Sequence, residues 1–181
     1  MRISETGLAG VLLLAPSIHR DNRGAFFETY NQRIAAEAGL PIVWPQDNFS
    51  LSKKYVVRGI HYQVTQPQGK LVRVTHGVVW DVAVDLRRSS PSFGRHVGVE
   101  LNGEDGQMLW IPVGFGHGFV VLSDVAGFAY KVTDFYSPAG ERTIAWDDPD
   151  LAISWPVSAA DAVVSEKDRR GARLRDADVF E

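Results

Sequence analysis

The 181-residue chain contains no cysteine. That absence removes a disulfide framework, a thiolate metal site and a cysteine nucleophile at once. A surplus of charge is missing too, since 19 Lys and Arg against 22 Asp and Glu give a formal net charge of -3. Acids and bases are interspersed, so no broad basic stripe exists for nucleic acid or an anionic membrane, and a phosphate group would have to be held locally. No segment approaches the roughly 18 consecutive apolar residues that span a bilayer. The run Val11-Leu12-Leu13-Leu14-Ala15 is short, ends at Pro16 without a small-residue cleavage pattern, and reads as a buried strand. What remains is the expectation of a single soluble, cytoplasmic domain over residues 1–181, long enough to bury roughly 70% of its unfolded surface.

Helix signals are also scarce. Asn31 can cap a short helix over Gln32 to Ala38 that Gly39 ends, and Ser165 can cap a turn over Glu166 to Arg170 that Gly171 ends. Period-2 patterning dominates instead. Between Val78 and Arg87, Val78, Trp80, Val82, Val84 and Leu86 share one face while Asp81, Asp85 and Arg87 share the other, the pattern of a half-buried strand. Further strands are predicted at 11–15, 25–30, 42–44, 55–64, 69–76, 96–101, 108–112, 117–123, 127–135 and 141–146. Turn signals such as Asp21-Asn22-Arg23-Gly24, Gln66-Pro67-Gln68-Gly69 and Ser137-Pro138-Ala139-Gly140 separate them. Many short strands at this spacing predict an antiparallel sandwich or barrel, with the tail after Asp161 as a surface element packed on it. No repeat or low-complexity linker divides the chain.

The most informative stretch is Arg58-Gly-Ile-His61-Tyr-Gln63, followed closely by Lys70. A lone strand histidine usually packs, but Gln63 shares the face of His61 and Lys70 opens the next strand, so three polar groups can converge on one concave surface. Strict alternation sends Arg58 to the opposite face, unless a bulge at Gly59 re-aims it. Three convergent histidines among His19, His61, His76, His96 and His117 could bind iron or zinc, yet no His-x-His pair is present. Tyr130 and Tyr136 lie on one side of a period-2 segment; strand tyrosines ordinarily pack, and one facing a polar cleft is a candidate acid. Asp168, three residues after Ser165, reads locally as part of a helix cap.

Taken together, the ordered motifs resemble the dTDP-4-dehydrorhamnose 3,5-epimerase family. The resemblance runs through Asp21-Asn-Arg-Gly24, Phe27-Glu28, Gln46-Asp-Asn48, Arg58-Gly-Ile-His-Tyr-Gln63 and Gln68-Gly-Lys-Leu-Val-Arg73. It continues through Asp81-Val-Ala-Val-Asp85, Trp110-Ile-Pro112, Gly114-Phe-Gly-His-Gly-Phe119, Tyr130-Lys131, Trp146-Asp-Asp-Pro149 and Ser165-Glu-Lys-Asp168, nearly the whole chain in order. Departures are small: Val57, Gly116 and Asp147 replace the commoner leucine, alanine and asparagine.

The resemblance implies a mainly β, cupin-like antiparallel jelly-roll barrel with a few short helices, acting as a homodimer without metal or cofactor. It maps the base to His61, the carboxylate that orients it to Asp168, the acid to Tyr130 and the group at the substrate's C4 oxygen to Lys70. Arg23, Phe26, Glu28, Gln46, Asp47, Asn48, Arg58, Lys70, His117, Tyr136, Glu141 and Lys167 match positions at the nucleotide-sugar site. Of these, Tyr136 stacks on thymine, and Arg23 and Glu28 reach the partner subunit's site. The implied reaction is epimerisation at C3 and C5 of dTDP-4-dehydro-6-deoxy-D-glucose. Relatives acting at C3 only or C5 only, a metal-dependent cupin and a non-catalytic nucleotide-sugar binding module are the alternatives.

Overall fold

The computed structural model describes residues 1–181. In chain order the strands are β1 (Arg2–Glu5), β2 (Leu12–Ala15), β3 (His19–Asp21), β4 (Gly24–Phe26), β5 (Gln46–Lys53), β6 (Val56–Gln63), β7 (Lys70–His76) and β8 (Val78–Asp85). There follow β9 (His96–Asn102), β10 (Met108–Ile111), β11 (Phe115–Val121), β12 (Val125–Val132), β13 (Glu141–Thr143) and β14 (Val163–Val164), with helices α1 (Gln32–Glu37) and α2 (Glu166–Arg169). No helix is long and apolar enough to cross a membrane.

Two sheets face each other as a cupin-like jelly roll. One has the order β1-β2-β10-β7-β12-β5 and the other β13-β6-β11-β8-β9, with β14 parallel to β6. The faces that meet carry the alternating apolar residues of each strand, because a period of two puts every second side chain between the sheets. Val72, Val74 and Phe128 from the first sheet pack with Val79, Phe119 and Val121 from the second. Phe119 and Phe128 stack at 4.2 Å, worth about 0.5–1.5 kcal/mol beyond the buried area.

Several expectations change in the structure. Residues 42–44 form no strand: Pro41 and Pro45 flank them and withhold donors that a ladder needs, and Trp44 instead packs edge-on to Tyr30 and Trp110. The strand lies just beyond, in β5, where the polar run Gln46–Lys53 pairs with β12 along its whole length. The strand expected at 25–30 is confined to β4 and is preceded by β3, which closes a small hairpin through the expected turn. β8 is not half exposed: Asp81 and Asp85 are fully buried, because each has polar partners that local patterning does not reveal. The tail after Asp161 does pack on the barrel, but as core more than as surface, with Leu174, Ala177 and Val179 buried beside Ile60 and Leu86.

Candidate active site

One end of the space between the sheets opens into a cleft of about 260 Å³. Its walls come from opposite sheets. Arg58, His61 and Gln63 on β6, with His117 and Phe119 on β11, form one side; Lys70 on β7, Phe128 and Tyr130 on β12, and Phe49 and Ser50 on β5 form the other.

The backbone solves the problem of placing Arg58 and His61 together with a bulge. His61 pairs with His117 and Arg58 with Phe119, so three steps along β6 oppose two along β11. Gly59 sits at a φ of 121°, in the region open to glycine, and a Cβ there would meet the Gly118 Cα at 2.5 Å. The extra residue sends Arg58 and His61 to the cleft and Ile60 to the opposite, fully buried side. The Arg58 Nε donates to the Ser52 Oγ at 3.1 Å, tying the guanidinium to the facing sheet.

His61 is held by Asp168, with 2.6 Å between Nε2 and Oδ1. The local capping pattern and the long-range role turn out to be compatible. Ser165 Oγ accepts from the Asp168 backbone N–H at 3.1 Å, which caps α2 while leaving the Asp168 carboxylate free for His61 and, at 3.4 Å, the Gly59 N–H. Burial pushes the Asp168 carboxyl up, but the bonds from His61, Gly59 and Ser165 outweigh it and hold the group below its ordinary range. With Nε2–H donated to the carboxylate, Nδ1 of a neutral His61 is the free lone pair.

Across the cleft, burial raises the Tyr130 pKa although the Arg58 charge opposes it, so the phenol stays protonated at neutral pH. Lys70 is buried and donates to the His61 backbone carbonyl at 3.3 Å. Burial drives its pKa down to about 8, against the attraction of Asp81 and Glu141.

At the mouth, Tyr136 is half exposed and its hydroxyl donates to Glu141, which also pairs with Lys167. Gln63, expected at the site, works as scaffold: it donates to the Gln66 and Phe135 carbonyls and accepts from the Ser137 N–H. Gln46 does the same by accepting from the Tyr136 N–H. Asn48 accepts from Gln46, and Asp47 pairs with Lys131 beside a separate depression. Arg23, Phe26 and Glu28 do not line the cleft of their own chain: Arg23 pairs with Asp21, Glu28 accepts from Asn31, and Phe26 is exposed on the β3–β4 hairpin. Asp81 stands behind the cleft wall. It binds His117 at 2.9 Å, and a carboxylate on an apparently solvated strand face gave no local sign of this.

A carboxylate-held imidazole beside a guanidinium on one wall, facing a protonated phenol and a buried ammonium on the other, defines an acid–base enzyme on a β jelly roll. No group of three His, Asp or Glu side chains is arranged to hold a metal ion. Residues 5–176 match the family model for dTDP-4-dehydrorhamnose 3,5-epimerase, and the chain belongs to that family. It is 53% identical over 181 residues to the dTDP-4-dehydrorhamnose 3,5-epimerase of Pseudomonas aeruginosa, covering 99% of each chain. The crystal structure of the Legionella pneumophila 3,5-epimerase in complex with dTDP-4-keto-L-rhamnose superposes with a TM-score of 0.93 at 47% identity, covering 98% of this chain and 94% of that one. A dTDP-4-dehydrorhamnose 3-epimerase from Streptomyces niveus is 37% identical, covering 98% of this chain and 86% of the relative.

Proposed function

We propose that the chain epimerises dTDP-4-dehydro-6-deoxy-D-glucose at C3 and C5 to give dTDP-4-dehydro-L-rhamnose. The observation that carries this is the placement of the His61–Asp168 pair and Tyr130 on opposite walls of one cleft. The C4 ketone acidifies the hydrogens at both neighbouring carbons, so one enolisation chemistry serves both centres. Inversion requires a proton to leave one face and return to the other. His61 Nδ1 takes the proton, Asp168 stabilises the imidazolium, Lys70 donates to the enolate oxygen, and Tyr130 returns a proton from the far wall. General acid–base catalysis contributes roughly 10²–10⁴-fold and one oxyanion donor another 10²–10³-fold, so both are required. The substrate's own ketone supplies the acidity, and the mechanism calls for no cofactor.

Arg58 suits the diphosphate through bidentate pairing, and the half-exposed Tyr136, its backbone fixed by Gln46 and that of Ser137 by Gln63, offers a face for thymine. Glu141, Lys167 and His117 complete the lining. Arg23, Phe26, Glu28, Asp47 and Asn48 belong to a homodimeric site in which the β3–β4 hairpin reaches the partner. In support, that hairpin pairs with neither main sheet, and Phe26, Phe49 and Leu51 are each at least 60% exposed. We place the reaction in the cytoplasm, where nucleoside diphosphates are made.

Incubation with the substrate in deuterated water, followed by NMR, tests the reading. Deuterium is expected at C3 and C5. Label at C3 alone would assign the chain the activity named for the S. niveus relative, and no label would remove this substrate.

A further inference from the structure

We propose that Asp81 is a positioning residue of the reaction: its buried carboxylate, oriented by His117, is the counter-charge that keeps the Lys70 ammonium protonated in the cleft.

Asp81 is fully buried on β8, its Oδ2 accepts from His117 Nε2 at 2.9 Å, and its Oδ1 has no hydrogen-bond partner. A buried carboxylate oxygen without a partner is costly unless a nearby cation offsets it. Lys70, entering from the other sheet, is also buried, and its hydrogen bond to the neutral His61 carbonyl brings no compensating charge. The two groups make no direct ion pair, but the His117 ring that binds Asp81 lines the same cleft as Lys70, and the Asp81 charge pulls the Lys70 pKa upward against burial, so they answer each other's deficit through space.

The groups facing Lys70 leave few rivals. From β6 come the His61 carbonyl, the His61 imidazole with its Asp168 partner, and Arg58, from β11 His117, from β12 Tyr130, from β13 Glu141 and from α2 Lys167; Asp168 is already engaged by His61. Glu141 is the other anion, but Lys167 at 2.5 Å and the Tyr136 hydroxyl already occupy it. His117 does not cancel Asp81. Burial holds its pKa below the ordinary value despite the Asp81 charge, so it remains neutral and lends Asp81 a hydrogen bond without removing the negative charge. The pairing of His117 with His61 across β11 and β6, and its stacking on Phe128 at 5.8 Å, fix the ring that aims the carboxylate.

The inference rests on Lys70 serving the ketone oxygen, and its test does not. Asp81→Asn is compared with the wild type by titrating lysine side chains in isotopically labelled protein by NMR, alongside the pH dependence of kcat. The Lys70 midpoint should fall from about 8 by about one unit, the smaller end of the effect of a close opposite charge. The alkaline limb of kcat should move with it. The loss should be about fivefold at pH 8 and nearly absent at pH 6, as the two ionisation curves require. An unmoved midpoint, or equal loss at every pH with lowered thermal stability, would overturn the proposal by making Asp81 structural. Should the variant fail to fold, the Asp81 carboxyl resonance of the wild type must show an inflection at the Lys70 midpoint, and its absence would be equally fatal. Failure of the substrate itself would show instead as missing deuterium, with the Lys70 titration still readable.

Discussion

At 2.6 Å from Nε2, the Asp168 carboxylate sets which nitrogen of His61 carries the proton. Asparagine in its place is nearly isosteric but presents an N–H₂ as readily as an oxygen, so the ring loses both its fixed tautomer and the charge that stabilises the imidazolium. Asp168→Asn is expected to lower kcat by on the order of 10³–10⁴-fold with a much smaller change in KM, measured by steady-state kinetics. Stability should respond with a defined sign. The folded Asp168 pKa is depressed, so its contribution is fully present above the unfolded value of 3.8 and is lost as pH falls below it. The variant should lack that part of the acid-side decline in melting temperature, checked by calorimetry between neutral pH and about pH 3. Asp168 also shows why the sequence read locally is incomplete here. Ser165 and the Asp168 backbone make the helix cap, and nothing within α2 discloses that the side chain points to a histidine 107 residues away.

The bulged strand β6 turns an ordinary alternating sequence into a site. Gly59 is where the chain tolerates this, and Gly118 is where the neighbouring strand makes room: a Cβ on Gly59 would lie 2.5 Å from the Gly118 Cα and 2.6 Å from the His117 carbonyl oxygen. Both obstacles are backbone, so neither can rotate away. Gly59→Ala is expected to cost roughly 3 kcal/mol or more through strain and overpacking, read as a melting temperature lowered by several degrees, and to abolish turnover even where folding survives. A variant that kept full activity would show that the bulge does not aim the site. The sequence offered the bulge only as an option, since strict alternation places Arg58 and His61, three residues apart, on opposite faces, and the register shift against β11 settles it. β8 was not legible in the same way. Asp81 and Asp85 alternate with valines as solvated residues would, and their burial depends on His117 and on Arg87, Ser90 and Ser92. β5 gave no strand signal because its apolar residues Phe49 and Leu51 are exposed while its polar residues alternate toward the interior, the reverse of the pattern that marks a strand on a core.

On the scale of the whole molecule, the cleft of one chain contains the proposed acid Tyr130, the proposed base His61 and Lys70 but not Arg23, which stands on the separate β3–β4 hairpin with its side chain 85% exposed. In a two-fold symmetric dimer an arm that reaches the partner's cleft does so reciprocally, so each site draws on both chains. Mixing makes this arrangement measurable. In the proposed dimer His61→Ala removes the base from its own cleft, and Arg23→Ala would remove a phosphate ligand from the other cleft. Each homodimer is then defective in both sites. In the mixed dimer one site carries both lesions, while the other combines the intact His61 of one chain with the intact Arg23 of the other. Unfolding and co-refolding equal amounts should restore about one quarter of wild-type activity, since about half of the dimers are mixed and each has one working site of two. If Arg23 served its own cleft, the mixed dimer would contain one damaged site of each kind and mixing would restore nothing. Activity assayed at a substrate concentration too low to rescue Arg23→Ala by mass action, with the dimer fraction confirmed by light scattering, distinguishes the two outcomes.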